Sequence, residues 1–451
     1  MGAGKTAIGR EVARLTGRDF VDVDEEIERR HGPIARIFDE RGEAEFRQLE
    51  ERSVKEVLSS AEPRVVALGG GAVTSAAVRR ELELRAFTVA VLVDVDEAWR
   101  RTRGHDRPLA RDEAVFRRLY EERQPFYVEC SDSLAKDVDD VLLSSLAVEV
   151  ERGAVPRKLD QNRHLPLIAD EHVYGLHAAP LALRAHLVPA GEDAKTLAVV
   201  ERLWAELGGS RQSTILALGG GSTTDVAGFV AATYMRGINW VALPTTLTGQ
   251  VDAAIGGKTA INLADGKNLV GAFHFPVSVV ADPDVLSTLP DVERRAGMAE
   301  VVKTGLLAGK PIWELAEEEM VRSAAAYKCA VVLSDPLETN GRREVLNLGH
   351  TFAHALEAAS DYRLSHGDAV ALGLLAALRL SGAPTDVVEQ ILEPAPVRVD
   401  PERAWAALAR DKKARNGTPR LVLLEAPGRP VTRVELPEAD IRAALDALIE
   451  R

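Results

Sequence analysis

Ile215-Leu216-Ala217-Leu218-Gly219-Gly220-Gly221 is the stretch on which the reading of the longer part of this chain turns. A short unbroken apolar run has the character of a strand buried on both faces, and the glycines after it let the backbone turn tightly beside a ligand. Asp225 stands four residues beyond the last glycine. That arrangement suggests the pyrophosphate turn of a dinucleotide site, although the spacing is not that of G-x-G-x-x-G. Far upstream, Val65-Val66-Ala67-Leu68-Gly69-Gly70-Gly71 reads almost alike. The flanks of the two stretches differ, so they are separate α/β units sharing the need for a glycine turn, not copies of one repeat.

Outward from these runs, strand-like residues 87–95 and 146–151 enclose a charged helical stretch, and nothing between about 130 and 165 reads as a flexible linker. Domains are therefore expected to abut near residue 145. From about residue 290 the pattern changes to apolar residues at helical spacing, over 289–307, 313–326 and 369–380, which predicts amphipathic helices and a helical closing subdomain. The expected fold class is α/β, with a first domain over 1–145, an α/β domain over 146–288 and a mostly helical one over 289–451. A chain of 451 residues exceeds one ordinary core, which agrees with this division.

Composition removes several function classes. A hydrophobic fraction of 46% beside 28% charged residues belongs to a globular chain, not a disordered one. The formal charge of -13 is spread without a basic stripe, so no nucleic-acid surface is expected and small molecules are the expected partners. Cys130 and Cys329 are the only cysteines, which excludes a disulfide framework and a thiolate metal cluster and fits a reducing compartment. No apolar run approaches the roughly 18–20 residues that span a bilayer, and the opening Met1-Gly2-Ala3-Gly4-Lys5 is not a signal peptide. A cytoplasmic protein without a membrane partner is expected.

Gly2-Ala3-Gly4-Lys5-Thr6 forms the end of a G-x-x-x-x-G-K-T phosphate loop. It is followed in order by Asp22-Val23-Asp24, Gly42-Glu43-Ala44-Glu45-Phe46-Arg47, Gly69-Gly70-Gly71, Arg107-Pro108-Leu109, and Arg123 ahead of Pro125 and Tyr127. That series resembles shikimate kinase over roughly residues 1–145. The resemblance implies ATP held by Gly2, Gly4, Lys5 and Thr6, with Mg²⁺ held by Thr6 and supported by Asp22. It makes Asp24 the group that positions or deprotonates the acceptor hydroxyl, and Arg47, Gly70 and Arg123 the holders of shikimate. Arg107 would come from a closing lid to stabilise the transferring phosphoryl group. These types suit a reaction that asks chiefly for positioning and charge neutralisation. Singly, Asp22 and Asp24 could equally begin a helix, and Arg107 could be a solvated charge. The loop's first glycine and the strand before it would fall ahead of Met1, so the expectation is a start upstream of Met1; a kinase remnant kept as an appendage is the alternative.

The later part carries a denser series: Gly191-Glu192-Asp193-Ala194-Lys195, the glycine turn with Asp225, Arg236-Gly237, Pro244-Thr245-Thr246 and Val251-Asp252. Gly256-Gly257-Lys258-Thr259, Gly266-Lys267-Asn268 and Ala299-Glu300-Val301-Val302-Lys303 follow. In Asn347-Leu348-Gly349-His350-Thr351-Phe352-Ala353-His354 two histidines stand four apart. On a helix they share a face, and spacing alone favours both as ligands of one metal.

From about residue 146 to the end this resembles 3-dehydroquinate synthase. The resemblance implies NAD, with Glu192, Lys195, Gly220, Gly221, Asp225, Thr245 and Thr246 at contacting positions. It implies zinc or another divalent metal on Glu300, His350 and the His366 of Ser365-His366-Gly367-Asp368, with His354 a catalytic neighbour instead of a ligand. Asp252, Lys258, Lys303, Arg343 and Asn347 are the other catalytic candidates, and Arg236, Lys258, Lys267 and Asn268 are the substrate-binding ones. Their cations suit a phosphate and a carboxylate. Lys412 or Lys413 matches a further substrate contact, and a homodimer through this part is implied.

The implied reaction begins from a seven-carbon keto-acid sugar phosphate and runs through transient oxidation, phosphate loss, re-reduction, ring opening and aldol closure. The chain departs from the family at Ala353, where glycine is usual, and at Pro336, where an acid is usual; residues 335–343 also run one residue longer. Three readings follow: a bifunctional enzyme, a synthase carrying a non-catalytic kinase-like module, and a related sugar phosphate cyclase or metal-dependent polyol dehydrogenase.

Overall fold

The computed structural model describes residues 2–103, 112–264, 266–410 and 419–450. Arg107, Lys412 and Lys413 lie outside the described residues. The chain divides into two compact units, Met1–Ser145 and Leu146–Arg451.

In the first unit, left-handed Gly4 (φ 82°) leads into the helix Lys5–Thr16, whose start has no side-chain cap. Four short strands follow in two parallel pairs. β1 (Asp19–Asp22) pairs with β2 (Arg64–Ala67), and β3 (Val89–Val91) pairs with β4 (Ser133–Ala135). Among the described residues no strand bonds β2 to β3, so the parallel sheet is interrupted between them. The strand expected over 87–95 is shorter because Asp94 accepts from the backbone N–H groups of Asp96 and Glu97 and starts a helix at Val95. The helix Ile34–Leu58, kinked at Gly42 (φ 79°), buries Phe46, Leu49, Glu50, Ser53, Val54 and Val57, the i, i+3, i+4, i+7 face that meets a core containing Val23 and Ile27. Removing the Phe46 ring should cost about 3–5 kcal/mol, the range for truncating a buried aromatic.

The second unit is built on a six-stranded sheet in the order β5 (Val148–Val150), β12 (Ser278–Ala281), β9 (Asn239–Pro244), β8 (Thr214–Gly219), β6 (Leu167–Asp170) and β7 (His186–Val188). All neighbouring strands are parallel. β8 is the apolar run of the glycine motif, and five of its six residues are buried. The helix Gly221–Thr233 starts directly after it. A Cβ on Gly220 would stand 2.9 Å from Thr246 Cγ2, so a larger residue could not occupy the turn without displacing that threonine. The antiparallel hairpin of β10 (Lys258–Leu263) and β11 (Gly266–Phe273) follows β9.

Helices Asp291–Ala308, Glu317–Ser334, His350–Ala359 and His366–Leu380 then form most of the helical part, followed by the hairpin of β13 (Leu421–Ala426) and β14 (Arg429–Val434) and the helix Glu438–Asp446. The spacing over 369–380 predicts an amphipathic helix, but 367 and 369–378 are all buried. This helix is the centre of its subdomain, touched by two other long helices and by β13, so it needs an apolar surface all round. The stretch 313–326 also starts later than its spacing predicts, since Trp313 belongs to a short 3-10 turn. Among the described residues no helix is long and apolar enough to cross a membrane.

Candidate active sites

In the second unit, the helix Asp291–Ala308 carries Glu300 and Lys303 one turn apart, each 1% exposed. The π turn Gly249–Ala253 presents Asp252, and the helix Glu317–Ser334 presents Lys328. The Lys303 ammonium touches Glu300 and lies 3.8 Å from Asp252 Oδ1, while Lys328 Nζ donates to that same oxygen at 2.6 Å. Two ammoniums and two carboxylates thus pair out of water, where either sign alone would be strongly disfavoured. Burial pushes Glu300 and Asp252 upward, yet the neighbouring ammoniums, and for Glu300 also His350, hold Glu300 well below the usual carboxylate range and Asp252 below it. Burial lowers Lys328, with Asp252 opposing; for Lys303 burial also lowers, but Asp252 and Glu300 outweigh it and leave the ammonium raised.

The helix starting at His350 and the helix starting at His366 bring two imidazoles to the outer side of Glu300. Gly349 (φ 78°) packs so closely on the neighbouring helix that a Cβ there would lie 2.7 Å from the Leu374 nitrogen. His350 Nε2 and His366 Nε2 each stand 3.4 Å from Glu300 Oε1. Ligand atoms of all three residues lie within 4.8 Å of one another. Two donors at the roughly 2.0–2.1 Å typical of zinc, set at a tetrahedral angle, are about 3.3 Å apart, so a carboxylate and two imidazoles at this spacing fit a divalent ion. His354, four residues after His350, is edge-on to it at 5.5 Å between ring centres and falls outside the cluster. Spacing alone, which favours both histidines as ligands, is corrected here: the third donor comes from a different helix.

A cavity of about 580 Å³ opens beside the cluster, and Asp225, Asp252, Lys258, Asn268, Lys303, Arg343, Asn347, His350 and His354 line it. Arg343 is 1% exposed and donates through Nη1 to the carbonyl oxygens of Pro336 and Gly256; among the described residues its Nε has no hydrogen-bond partner. Behind the glycine turn, Lys195 donates to Asp225 at 2.6 Å and also touches Asn268. Glu192 accepts from Asn262 at 2.7 Å and from Ser222 at 3.1 Å, and Thr245 is buried. These groups surround the start of the helix Gly221–Thr233, where free N–H groups and the helix dipole favour a phosphate.

Two expected substrate residues are elsewhere. Arg236 is exposed and does not line the cavity. It ends the turn between the helix Gly221–Thr233 and the first residue of β9, hence at the opposite end of the sheet from the glycines. Lys267 does not line the cavity either; its ammonium sits 4.5 Å over the Tyr362 ring.

Two residues that sequence reasoning missed line the cavity as well, Lys328 and Glu338. The signal for Lys328 was a lone lysine in the otherwise small and apolar run Ala324-Ala325-Ala326-Tyr327-Lys328-Cys329-Ala330. Glu338, in the left-handed region at φ 54°, contacts Lys258 and lies 3.8 Å from Arg343 Nε. The longer loop therefore supplies a carboxylate two positions after Pro336.

In the first unit, Thr6 Oγ1 donates to Asp22 Oδ2 at 2.7 Å, and Asp22 Oδ1 accepts from the Asp24 backbone at 3.0 Å. Asp22 thus caps the helix Val23–His31 and meets the phosphate loop at once. A Cβ on Gly69 would stand 2.6 Å from Asp24 Oδ1, and one on Gly71 would stand 2.3 Å from Arg47 Nη1. Only glycine admits both side chains. Arg47 donates to Glu50 at 2.7 Å and to Glu43 at 2.9 Å, Tyr127 donates to the Gly70 carbonyl at 2.6 Å, and Arg123 is buried nearby. Burial raises Glu50, and the Arg47 guanidinium opposes that rise.

Family models match most of the chain. The shikimate kinase model matches residues 1–145, the N-terminal model of 3-dehydroquinate synthase matches 185–296, and its C-terminal model matches 297–414. The 3-dehydroquinate synthase of Salinibacter ruber is 40% identical over 317 residues, covering 62% of this chain and 86% of the relative. That of Symbiobacterium thermophilum is 39% identical over 372 residues, covering 73% of this chain and 99% of the relative. Among solved structures, 2-deoxy-scyllo-inosose synthase complexed with carbaglucose-6-phosphate, NAD⁺ and Co²⁺ is 26% identical, with a TM-score of 0.59 over 66% of this chain and 96% of that one. The 2-epi-5-epi-valiolone synthase of Streptomyces hygroscopicus subsp. jinggangensis, with NAD⁺ and Zn²⁺ bound, is also 26% identical, with a TM-score of 0.55 over 68% and 92%.

Fold and cluster define an α/β enzyme whose acid and imidazole donors gather beside one cavity, preceded by a phosphate-loop unit. The chain belongs to the 3-dehydroquinate synthase family, and residues 1–145 are a shikimate kinase unit ahead of it.

Proposed function

We propose that residues 146–451 convert 3-deoxy-D-arabino-heptulosonate 7-phosphate to 3-dehydroquinate and phosphate, and that residues 1–145 phosphorylate shikimate with ATP and Mg²⁺. The observation that carries the first half is the cluster of Glu300, His350 and His366 beside a cavity that His350, Asp252, Lys303 and Lys328 line. When bound, a divalent metal on the first three supplies Lewis acidity, and NAD at the glycine turn takes up and returns a hydride. The remaining work falls to the chain. Asp252, kept ionised by Lys303 and Lys328, accepts hydrogen bonds from substrate hydroxyls. Lys258 and Arg343, now facing Glu338, exchange that carboxylate for the substrate's phosphate and carboxylate. His354, on the cavity wall outside the metal cluster, is placed to carry a proton as phosphate leaves.

Identities near 40% to 3-dehydroquinate synthases, against 26% to the two other cyclases, favour this substrate over other sugar phosphates. For the kinase half, support comes from Thr6 on Asp22 and from Asp24, Arg47 and Arg123 around the glycine run. A second reading keeps the synthase and makes this unit a module without turnover of its own. Domains over 1–145, 146–288 and 289–451, a homodimer through the synthase part and a cytoplasmic location complete the proposal.

The test supplies the heptulosonate phosphate, NAD and Zn²⁺ and follows phosphate release together with absorbance at the nicotinamide band. Dehydroquinate should form with no net NADH. Steady NADH accumulation would instead indicate a polyol dehydrogenase, and turnover only of sugar phosphates lacking the carboxylate would indicate a different cyclase. Shikimate and ATP, assayed separately, decide the kinase half.

A further inference from the structure

We propose that Glu357 is a positioning residue for His366, holding its ring so that Nε2 meets the metal; this rests on the metal reading of the Glu300 cluster. A neutral imidazole has one N–H and one lone pair, so whatever accepts from one nitrogen decides which nitrogen can bind a cation. Both histidines present Nε2 to Glu300 and turn Nδ1 the other way. His350 Nδ1 lies 3.2 Å from the Leu348 carbonyl oxygen, a backbone acceptor two residues earlier. His366 Nδ1 lies 3.3 Å from Glu357 Oε1. A carbonyl and an ionised carboxylate can only accept, so both contacts put the proton on Nδ1 and leave Nε2 free.

The two ligands differ in what else restrains them. His350 sits in a helix start enclosed by the Gly349 crossing, with 12% of its side chain exposed, whereas the His366 side chain is 41% exposed. Ser365 fixes the backbone of the helix starting at His366 by accepting from Asp368, but that cap does not hold the ring. Glu357 does, from a side chain only 8% exposed. It lies seven residues after His350 on the same helix, hence on the same face, so this helix provides one ligand and the carboxylate that orients the other. A carboxylate on the remote nitrogen also makes the imidazole a stronger donor.

The experiment uses the full chain stripped of metal. Zn²⁺ affinity is read by competition with a chromophoric chelator, and Co²⁺ absorption reports the ligand geometry. Glu357→Ala should weaken Zn²⁺ binding about 10–100-fold and shift the Co²⁺ bands. Glu357→Gln, whose amide oxygen still accepts from Nδ1, should recover most of the affinity with a smaller shift. NAD binding should be unchanged in both. Wild-type affinity and spectrum in Glu357→Ala would overturn the assignment. So would equal metal loss in both variants accompanied by loss of NAD binding, which marks damage to the fold. If the alanine variant does not fold, Glu357→Met, which keeps the side-chain length but offers Nδ1 no oxygen acceptor, decides: a spectrum and affinity identical to wild type overturn the proposal. A wild-type chain that takes up no Zn²⁺ overturns the metal reading and this assignment together.

Discussion

In the longer unit, Glu300, Lys303, Asp252 and Lys328 find their counter-charges in one another, with Glu300 and Lys303 almost wholly enclosed. In the shorter unit, Arg47 bridges a buried acid, Glu50, and an exposed one, Glu43, while Asp22 divides its oxygens between a helix cap and Thr6. The first arrangement joins site and stability, because removing Lys303 strands Glu300, a charge almost wholly shut off from water. The second joins them only at Glu50, whose enclosed carboxylate Arg47 pairs, while Glu43 faces water. Side chains facing water lose little when a partner is removed, so a residue there can matter to substrate without mattering much to folding.

The largest effect expected is functional. His350→Ala should abolish divalent-metal uptake and lower dehydroquinate formation by roughly 10³-fold or more, the scale of several kcal/mol of lost Lewis-acid stabilisation. Phosphorylation of shikimate, assayed with ATP on the same preparation, should be untouched. Lys5→Ala should give the mirror result. Parallel loss of both activities in either variant would break the comparison.

Next in size, Lys303→Met should destabilise the metal-free chain by about 3–5 kcal/mol in chemical denaturation, since Glu300 would remain buried beside a neutral side chain. A change below about 1 kcal/mol would place the longer unit in the same class as the shorter one.

Asp225 tests the joining of charge and stability at a second point of the longer unit. Burial pushes its carboxyl up to about 6 from an ordinary 3.8, with Lys195 opposing. The folded state therefore holds this proton more tightly than the unfolded one. The stability this contributes is complete below about pH 4 and is lost as pH rises through 6. Relative to Asp225→Asn, the wild type should lose about 2–3 kcal/mol between pH 4 and pH 7. A difference independent of pH would remove Asp225 from the argument.

The smallest expected effect belongs to the shorter unit. Arg47→Lys should change its folding stability by about 1 kcal/mol or less while raising the KM for shikimate, because a lysine cannot reproduce forked donation to a carboxylate. A large loss of stability would mean that this site too is built from enclosed charge.

Much of this was legible in the sequence where a local rule suffices. β8, its glycines and the helix after them are consecutive, and a strand, a turn and a helix start each have their own residue chemistry. Glu300, His350 and His366 are another matter. No periodicity relates them, and only a resemblance could gather them before the helices were seen to cross at Gly349. Lys328 escaped notice because its neighbours read as helix core, and that is where it lies, with Asp252 as the reason a lysine can be there. Arg236 lies away from the cavity for the opposite cause. Motif order says that a residue follows the glycine turn, but not that a whole helix has meanwhile carried the chain to the far end of the sheet. The helix His366–Leu380 shows the limit of hydrophobic patterning, since an element buried on all sides has no stripe to detect.

The mutual pairing of Glu300, Lys303, Asp252 and Lys328 has a consequence for ionic strength. Dissolved ions screen charges they can surround, within a Debye length of about 8–10 Å near physiological salt, and they do not enter between groups that already neutralise one another. Lys258 and Glu338 at the cavity wall, 52% and 37% exposed, are open to such screening. Added salt should therefore act on the entrance and spare the interior, slowing capture of an anionic substrate while leaving turnover of captured molecules nearly constant.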